Sequence, residues 1–223
     1  MLRLLAAVVP VALMFAVSSA PNESSEAYQV RQLDGAAPII DGELRDPAWR
    51  RAEWDDAFVG IQGAAPSQRT AVALLYDEAF VYVGIELNDE SPTDITKTPG
   101  ARDVTNGDRV ATFFDTNTDG QSSFVFVVNA AGVVRDQLGT ENGQVWDSGW
   151  DTEWESAVAF DANGWTAELR IPFASLGGAD PSGGEWGLQL TRIVERLEEQ
   201  SLWHALDPER GWTGSFGRIA FER

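Results

Sequence analysis

Apolar and polar positions alternate along most of the chain, with the period of two that marks half-buried strands. TAVALLYD (70–77) and FVYVGIELND (80–89) are β-rich runs with almost no gap, which predicts a hairpin turned at Asp77–Ala79. DRVATFFD (108–115) and SSFVFVVN (122–129) flank the polar loop TNTDGQ. EWESAVAFD (153–161) and WTAELRIPF (165–173) flank Ala162-Asn163-Gly164, where Asn-Gly is a strong hairpin signal. EWGLQLTRIVER (185–196) and SLWHAL (201–206) pair around a solvated, charged hairpin ERLEEQ (195–200), and FGRIAFER (216–223) closes the chain. Only DPAWRRAEW (46–54) and FASLGG (173–178) read as short helical turns. The pattern predicts an all-β fold of roughly ten strands, an antiparallel two-sheet β-sandwich of the jelly-roll kind.

The stretch VWDSGWDTEW (145–154) departs from this alternation. Its three tryptophans lie four apart, as on one face of a helix. Gly149 interrupts that face and strands bracket it, so no long helix is expected there.

The first twenty residues carry Arg3, a short apolar run broken by Pro10, and a small-residue end at Ala20. That is the layout of a secretory signal peptide, and the run is too short for a comfortable membrane span. The expected organisation is a leader (1–20), a flexible tail (21–30) and one domain (31–223), since no Pro/Ser-rich linker divides the remainder. With no cysteine, neither a disulfide framework nor N-terminal lipidation through Cys is available. The expected location is secreted, periplasmic or extracellular.

A net charge of −19, with fifteen Arg and only Lys97, repels nucleic acid and anionic membranes, which call for basic patches. Polyanionic glycans are disfavoured for the same reason. Neutral partners remain.

Seven stretches, in order, carry a family resemblance. They are IIDGELRDPAWRRAEW (39–54), LLYDEAFVYVGIELND (74–89), GDRVATFFDTNTDGQSSFVFVVNAAGVVRD (107–136), WDTEWESAV (150–158), GWTAELRIPFASL (164–176), WGLQLTRI (186–193) and FGRIAF (216–221). Together they resemble the family 9 carbohydrate-binding-module-like domains of the DOMON-like sandwich group. The resemblance implies a sandwich and glycan binding. Some such domains are attached to xylanases and grip sugar chain ends between two tryptophans; others stand at the front of large outer-membrane proteins, the group this pattern is closer to. Where the grippers place a first stacking Trp, this chain reads ARDVTNGD (101–108); where they place an acid and an Arg, it has Ala111 and Val127. Their second stacking Trp falls near Trp212.

Sugar binding needs an exposed aromatic face with hydrogen-bonding groups beside it. Trp212, on a Gly-flanked loop with Arg210 and Asp207, and Trp146, on a loop with Asp147 and Asn142, meet that need. The competing reading is that each Trp packs over a sheet end. Trp49, Trp54, Trp154, Trp165 and Trp186, within the alternating motifs, read as core, and Trp150 and Asp151 as scaffold.

Asp115, Asn117 and Asp119 alternate before Gly120, the first half of a calcium loop, although Phe126 stands where a closing Glu would be. Calcium would need a neighbouring loop; the competing reading is a polar hairpin turn. Asp151, Glu153 and Glu155 would share a strand face, better explained as a solvated edge than as a glycosidase pair. A single histidine, His204, precludes a multi-His zinc site, and haem would have only His204 or Lys97 as axial ligand. Arg192 is expected to pair with a buried acid such as Asp151 or Glu168. The sequence thus predicts a non-catalytic domain for neutral glycans that requires no cofactor and works beside a cell envelope or a glycoside hydrolase partner. An envelope interaction domain without a sugar site, and a glycoside hydrolase, are the alternatives.

Overall fold

The computed structural model describes residues 26–222; the stretch read as a leader (1–20), residues 21–25 and Arg223 lie outside them. The predicted hairpins form. β1 (Tyr28–Gln32) and the two-residue β2 (Val59–Gly60) precede the hairpin of β3 (Thr70–Tyr76) and β4 (Phe80–Asn88). β5 (Arg109–Asp115), β6 (Ser123–Asn129), β7 (Val134–Thr140) and the short β8 (Val145–Asp147) follow as an antiparallel meander. β9 (Glu155–Phe160) and β10 (Gly164–Pro172) flank Asn163, and β11 (Trp186–Val194), β12 (Glu199–Leu202) and β13 (Gly217–Phe221) complete the set. Among the described residues the one α-helical turn, α1, spans Gly211–Gly214.

These strands form one continuous mixed sheet in the order β8-β7-β6-β5-β11-β13-β1-β3-β4-β10-β9, where two separate antiparallel sheets were expected. The reason lies in β1. Its first half runs parallel to β13 (Tyr28 beside Ile219) and its second half parallel to β3 (Arg31 beside Leu75), so it stitches two arms together. Tyr28 buries its ring edge-on against Trp203, donates its hydroxyl to the Glu53 carbonyl and accepts from the Leu74 amide at 3.0 Å. Residues 28–30, read as part of a flexible tail, therefore belong to β1.

The sheet curls so that the two arms enclose one core: Leu74, Val83, Ile85 and Leu169 from one, Phe114, Phe126, Leu188 and Leu190 from the other. Trp165 and Trp186 are buried in it, and Trp154 and Trp150 are half-buried against Phe126, 5.1 and 6.2 Å away, where the two ends of the sheet approach. WDTEW is scaffold, as the motif reading predicts.

β3 is buried on both faces because residues 33–54 cover its outer side. That explains why TAVALLY reads as a continuous apolar run. The covering segment is a series of turns rather than helix, and it carries buried Trp49 and half-buried Trp54. Gly84 lets it approach: a Cβ there would lie 2.8 Å from Leu44 and 2.9 Å from Trp49. FASLGG does form a 3₁₀ turn (Phe173–Leu176), ended by left-handed Gly177. Glu199 and Gln200 belong to β12 rather than to a loop, so the β11–β12 hairpin is tighter than predicted, closing on the single turn Glu195–Leu197.

Arg192 does not pair with Asp151 or Glu168. It projects into the interior, where it donates to the carbonyls of Arg69 (2.9 Å) and Asn88 (2.7 Å) and to the Thr70 hydroxyl (3.2 Å). Asp151 bonds Arg102 at 2.8 Å, and Glu168 accepts from the Trp49 indole and the amides of Asp41 and Gly42.

Candidate functional site

Cross-strand partners on an antiparallel pair project from the same face. On β5 and β6, Val110, Phe114, Phe126 and Val128 point into the core, so Ala111, Phe113, Val125 and Val127 form a second apolar cluster on the outward face, with Phe216 and Trp212 against it. Ala111 stands directly opposite Val127. The two places where an acid and an Arg would sit in sugar-gripping relatives thus meet as one apolar contact. β7 continues the face with Arg135 beside Val127 and Gln137 beside Val125.

The two suspect tryptophans converge here. Phe113 lies edge-on to both, its centroid 6.2 Å from Trp146 and 5.2 Å from Trp212. Trp146 is on edge strand β8 rather than on a loop, opposite Gly139 of β7. A Cβ on Gly139 would stand 2.7 Å from Cζ3 of Trp146, so the ring lies across the bare backbone of that glycine. The ring's other side is left to solvent, and the residue remains 39% exposed. Asp147, also on β8, is exposed and accepts from the Gly149 amide at 2.9 Å.

Trp212 is half-buried, with its indole N–H sealed off and unpartnered, packed on Phe113 and Phe216. Gly143 makes room for it, because a Cβ there would lie 2.5 Å from Cδ1 of Trp212. Asn142 is spent on holding this arrangement. Its Oδ1 accepts from the Thr213 amide (2.7 Å) and its Nδ2 donates to the Arg210 carbonyl (2.8 Å), which fastens the α1 turn to the β7–β8 turn. Asn142 is therefore a positioning residue and Trp212 a wall, while Trp146 offers the open face.

The calcium-loop residues are turned to their own loop. Asp115 Oδ2 accepts from the Gly120 amide (2.9 Å). Asp119 Oδ1 accepts from the amides of Gln121 (2.7 Å) and Ser122 (3.0 Å), and its Oδ2 from Asn117 (2.9 Å). This is the hydrogen bonding of a polar hairpin turn. Among the described residues no group of three or more His, Cys, Asp or Glu is placed to hold a metal ion. Burial pushes the Asp115 carboxyl above its usual range, against the Gly120 amide; burial also opposes ionisation of Asp119, but its donors prevail and hold it below.

Asp151, Glu153 and Glu155 line a groove of ≈ 740 Å³ with Arg102, Arg170, Phe80 and Trp154. Arg102 bonds Asp151 (2.8 Å) and Arg170 bonds Glu155 (2.5 Å), so two of the three carboxylates are engaged in ion pairs. His204 packs edge-on to Trp203 at 4.5 Å, and burial lowers its pKa below the ordinary 6.5. The unfolded chain then takes up the proton first, so stability falls as pH drops below 6.5 and the loss levels off once the folded imidazole is also charged. Urea unfolding across that window should show this step, and His204→Gln should remove it; an unchanged slope in the variant would refute the assignment.

Sequence reasoning did not reach Phe113, Gly139, Arg135, Gln137, Thr213 or Arg218 as parts of this region. The alternation in VVRDQLGT was the available signal for β7, and with it for Arg135 and Gln137.

A comparison with curated proteins gives no match to the sequence. A family model described as "Carbohydrate family 9 binding domain-like" matches residues 40–204. Among solved structures, a family 9 carbohydrate-binding module from Caldicellulosiruptor kristjanssonii in complex with cellotriose is similar at TM-score 0.62 and 18% identity, covering 88% of this chain and 94% of its own. The glucose complex of a family 9 module from that organism gives 0.63 and 19%, over 87% and 95%. A candidate carbohydrate-binding protein from Bacteroides uniformis gives 0.68 and 14%, over 88% and 99%. The order of motifs, the fold they build and the family match over most of its length agree: this chain belongs to the carbohydrate family 9 binding domain-like family.

Proposed function

We propose that the domain binds neutral carbohydrate without transforming it, on the outward face of β5–β8, with Trp146 as the stacking platform. The observation that carries this reading is the Trp146 ring laid over Gly139, with one side packed and the other open beside a rigid aromatic cluster. An indole fixed in this way presents an apolar plane to a pyranose ring at little entropic cost. Family membership and the sugar-bound structures of similar fold support the same ligand class. With Ala111 and Val127 in place of a charged pair, hydrogen bonds to the sugar would come from Arg135, next to the largely buried Gln137; Asp147, cross-strand from Leu138, projects from the opposite face. The two arms act as the layers of a β-sandwich, one bearing the site and the other buried under residues 33–54. No cofactor is required. The leader-like residues 1–20 support a location outside the cytoplasm, secreted or periplasmic. Among the described residues no helix is long and apolar enough to cross a membrane.

Affinity gel electrophoresis on neutral polysaccharides, with a glycan array, tests the reading. Retardation is expected, and Trp146→Ala should weaken it roughly tenfold, since one aromatic platform contributes on the order of 1.5 kcal/mol. No retardation on any neutral glycan would sink it and favour an envelope interaction domain. Reducing-sugar release abolished by a single carboxylate substitution would instead identify a hydrolase.

A further inference from the structure

At the α1 turn lies a pit of ≈ 270 Å³ lined by Asp115, Asp119, Arg210, Thr213 and Arg218 among others. It is below the roughly 300–1,000 Å³ of sites for drug-sized ligands, so it suits part of a sugar rather than an oligosaccharide. Two of its side chains are incompletely satisfied. Asp115 is only 3% exposed, and while its Oδ2 accepts from Gly120, its Oδ1 has no hydrogen-bond partner. The backbone amides of Thr118 and Asp119 also favour the ionised carboxylate, against burial, without making a well-formed hydrogen bond to Oδ1. The Thr213 hydroxyl, 2% exposed as a residue, is likewise buried and unpartnered. Buried polar atoms are almost always hydrogen-bonded, so two unpartnered ones just behind a cavity wall call for a partner.

The charge around the pit selects the ligand. Arg210 and Arg218 oppose a cation, and Asp115 and Asp119 oppose an anion. What fits is a neutral group that both donates and accepts, which is the character of paired sugar hydroxyls. Gly187 keeps the floor open, since a Cβ there would stand 3.0 Å from Cβ of Asp115.

We infer that this pit is a hydroxyl-recognition subsite for a neutral sugar, whose paired hydroxyls donate to Oδ1 of Asp115 and accept from Arg210 and Arg218. The inference rests on the carbohydrate-binding reading and gives Asp115 and Arg210 a common role. It separates Asp115 from calcium chemistry.

Titration of the isotope-labelled domain with D-glucose and cellotriose, followed by amide NMR, provides the test. Shifts are expected at Gly120 and Thr213, with Asp115→Asn weakening them roughly tenfold or more and Thr213→Val by roughly threefold, and with no effect of EDTA. Thr213→Val retains the side-chain shape and keeps the test decisive if Asp115→Asn does not fold. Shifts confined to the Trp146 region, with both variants binding normally, would overturn the subsite while leaving carbohydrate binding intact. Binding lost on adding EDTA would overturn it in favour of a cation at Asp115. No shift anywhere, together with no retardation on any neutral glycan, would remove both.

Discussion

Replacing Arg192 with Met should lower the free energy of unfolding by about 3–5 kcal/mol, the cost of breaking a buried charged network. For a domain of this size that corresponds to a fall in Tm of roughly 10 °C. The guanidinium stands on β11 in one arm of the sheet and is only 1% exposed. Its acceptors are in the other arm, the Arg69 carbonyl and Thr70 hydroxyl at the start of β3 and the Asn88 carbonyl at the end of β4. Burial pulls its pKa down to about 10, partly offset by Asp89 and Asp108, so it stays charged at neutral pH. Methionine fills the space but removes all three of these bonds between the arms; the Arg69 carbonyl keeps the Asn88 amide (3.0 Å), whereas the Asn88 carbonyl loses its Arg192 donor, and an orphaned buried polar group costs about 1–3 kcal/mol. Lysine keeps the charge yet cannot reproduce the planar fork, so Arg192→Lys should recover only part of the loss. Chemical denaturation followed by tryptophan fluorescence measures both variants. A Met variant within about 1 kcal/mol of the parent, the net worth of a single hydrogen bond, would show that the arms are held together elsewhere.

The second large effect is expected at Glu168, fully buried on β10. Both of its oxygens are in use: Oε1 accepts from Nε1 of Trp49 (2.6 Å), Oε2 from the amides of Gly42 (2.7 Å) and Asp41 (3.0 Å). All three partners are donors, so the site calls for a group that only accepts. Glu168→Gln turns an NH₂ toward an N–H whichever way the amide is set. A loss of about 2–4 kcal/mol is expected, nearly that of Glu168→Ala, because the burial cost stays and at least one bond becomes a repulsion. The damage should be local as well. Hydrogen exchange should rise across residues 39–54, which Glu168 clasps to the sheet, before it rises in β5–β7. Unchanged protection in that segment would mean that Trp49 is held by packing alone.

Much of the fold was legible because strand alternation is a local property. The hairpins β3–β4, β5–β6 and β9–β10 follow from runs of side chains and the turn residues between them. The burial of Trp165 and Trp186 followed from the same alternation, and that of Trp49 from its place in the family motif. β1 was missed because its residues YQVRQ are unremarkable until β13 and β3 lie on either side to accept them. The site was legible in part. Trp146 and Trp212 were visible as aromatics with polar neighbours, but whether an indole stacks on a ligand or on the protein depends on what faces it. Gly139 and Phe113 decide that for Trp146, and Asn142, Gly143 and Phe216 decide it for Trp212.

By itself, the sequence determined the all-β character, the position of most strands, the burial of the motif tryptophans and the family resemblance, all of which depend on residues near one another in the chain. Tertiary structure decided which strands became neighbours across the molecule. It curled them into one mixed sheet through β1, gave Arg192 carbonyls and Glu168 an indole and two amides, and set Asp115 and Arg210 around one pit. The physical reason is parity. Alternation states which face of a strand a side chain occupies, but a hydrogen-bond partner is chosen by what covers that face, and the covering segments here come from distant parts of the chain.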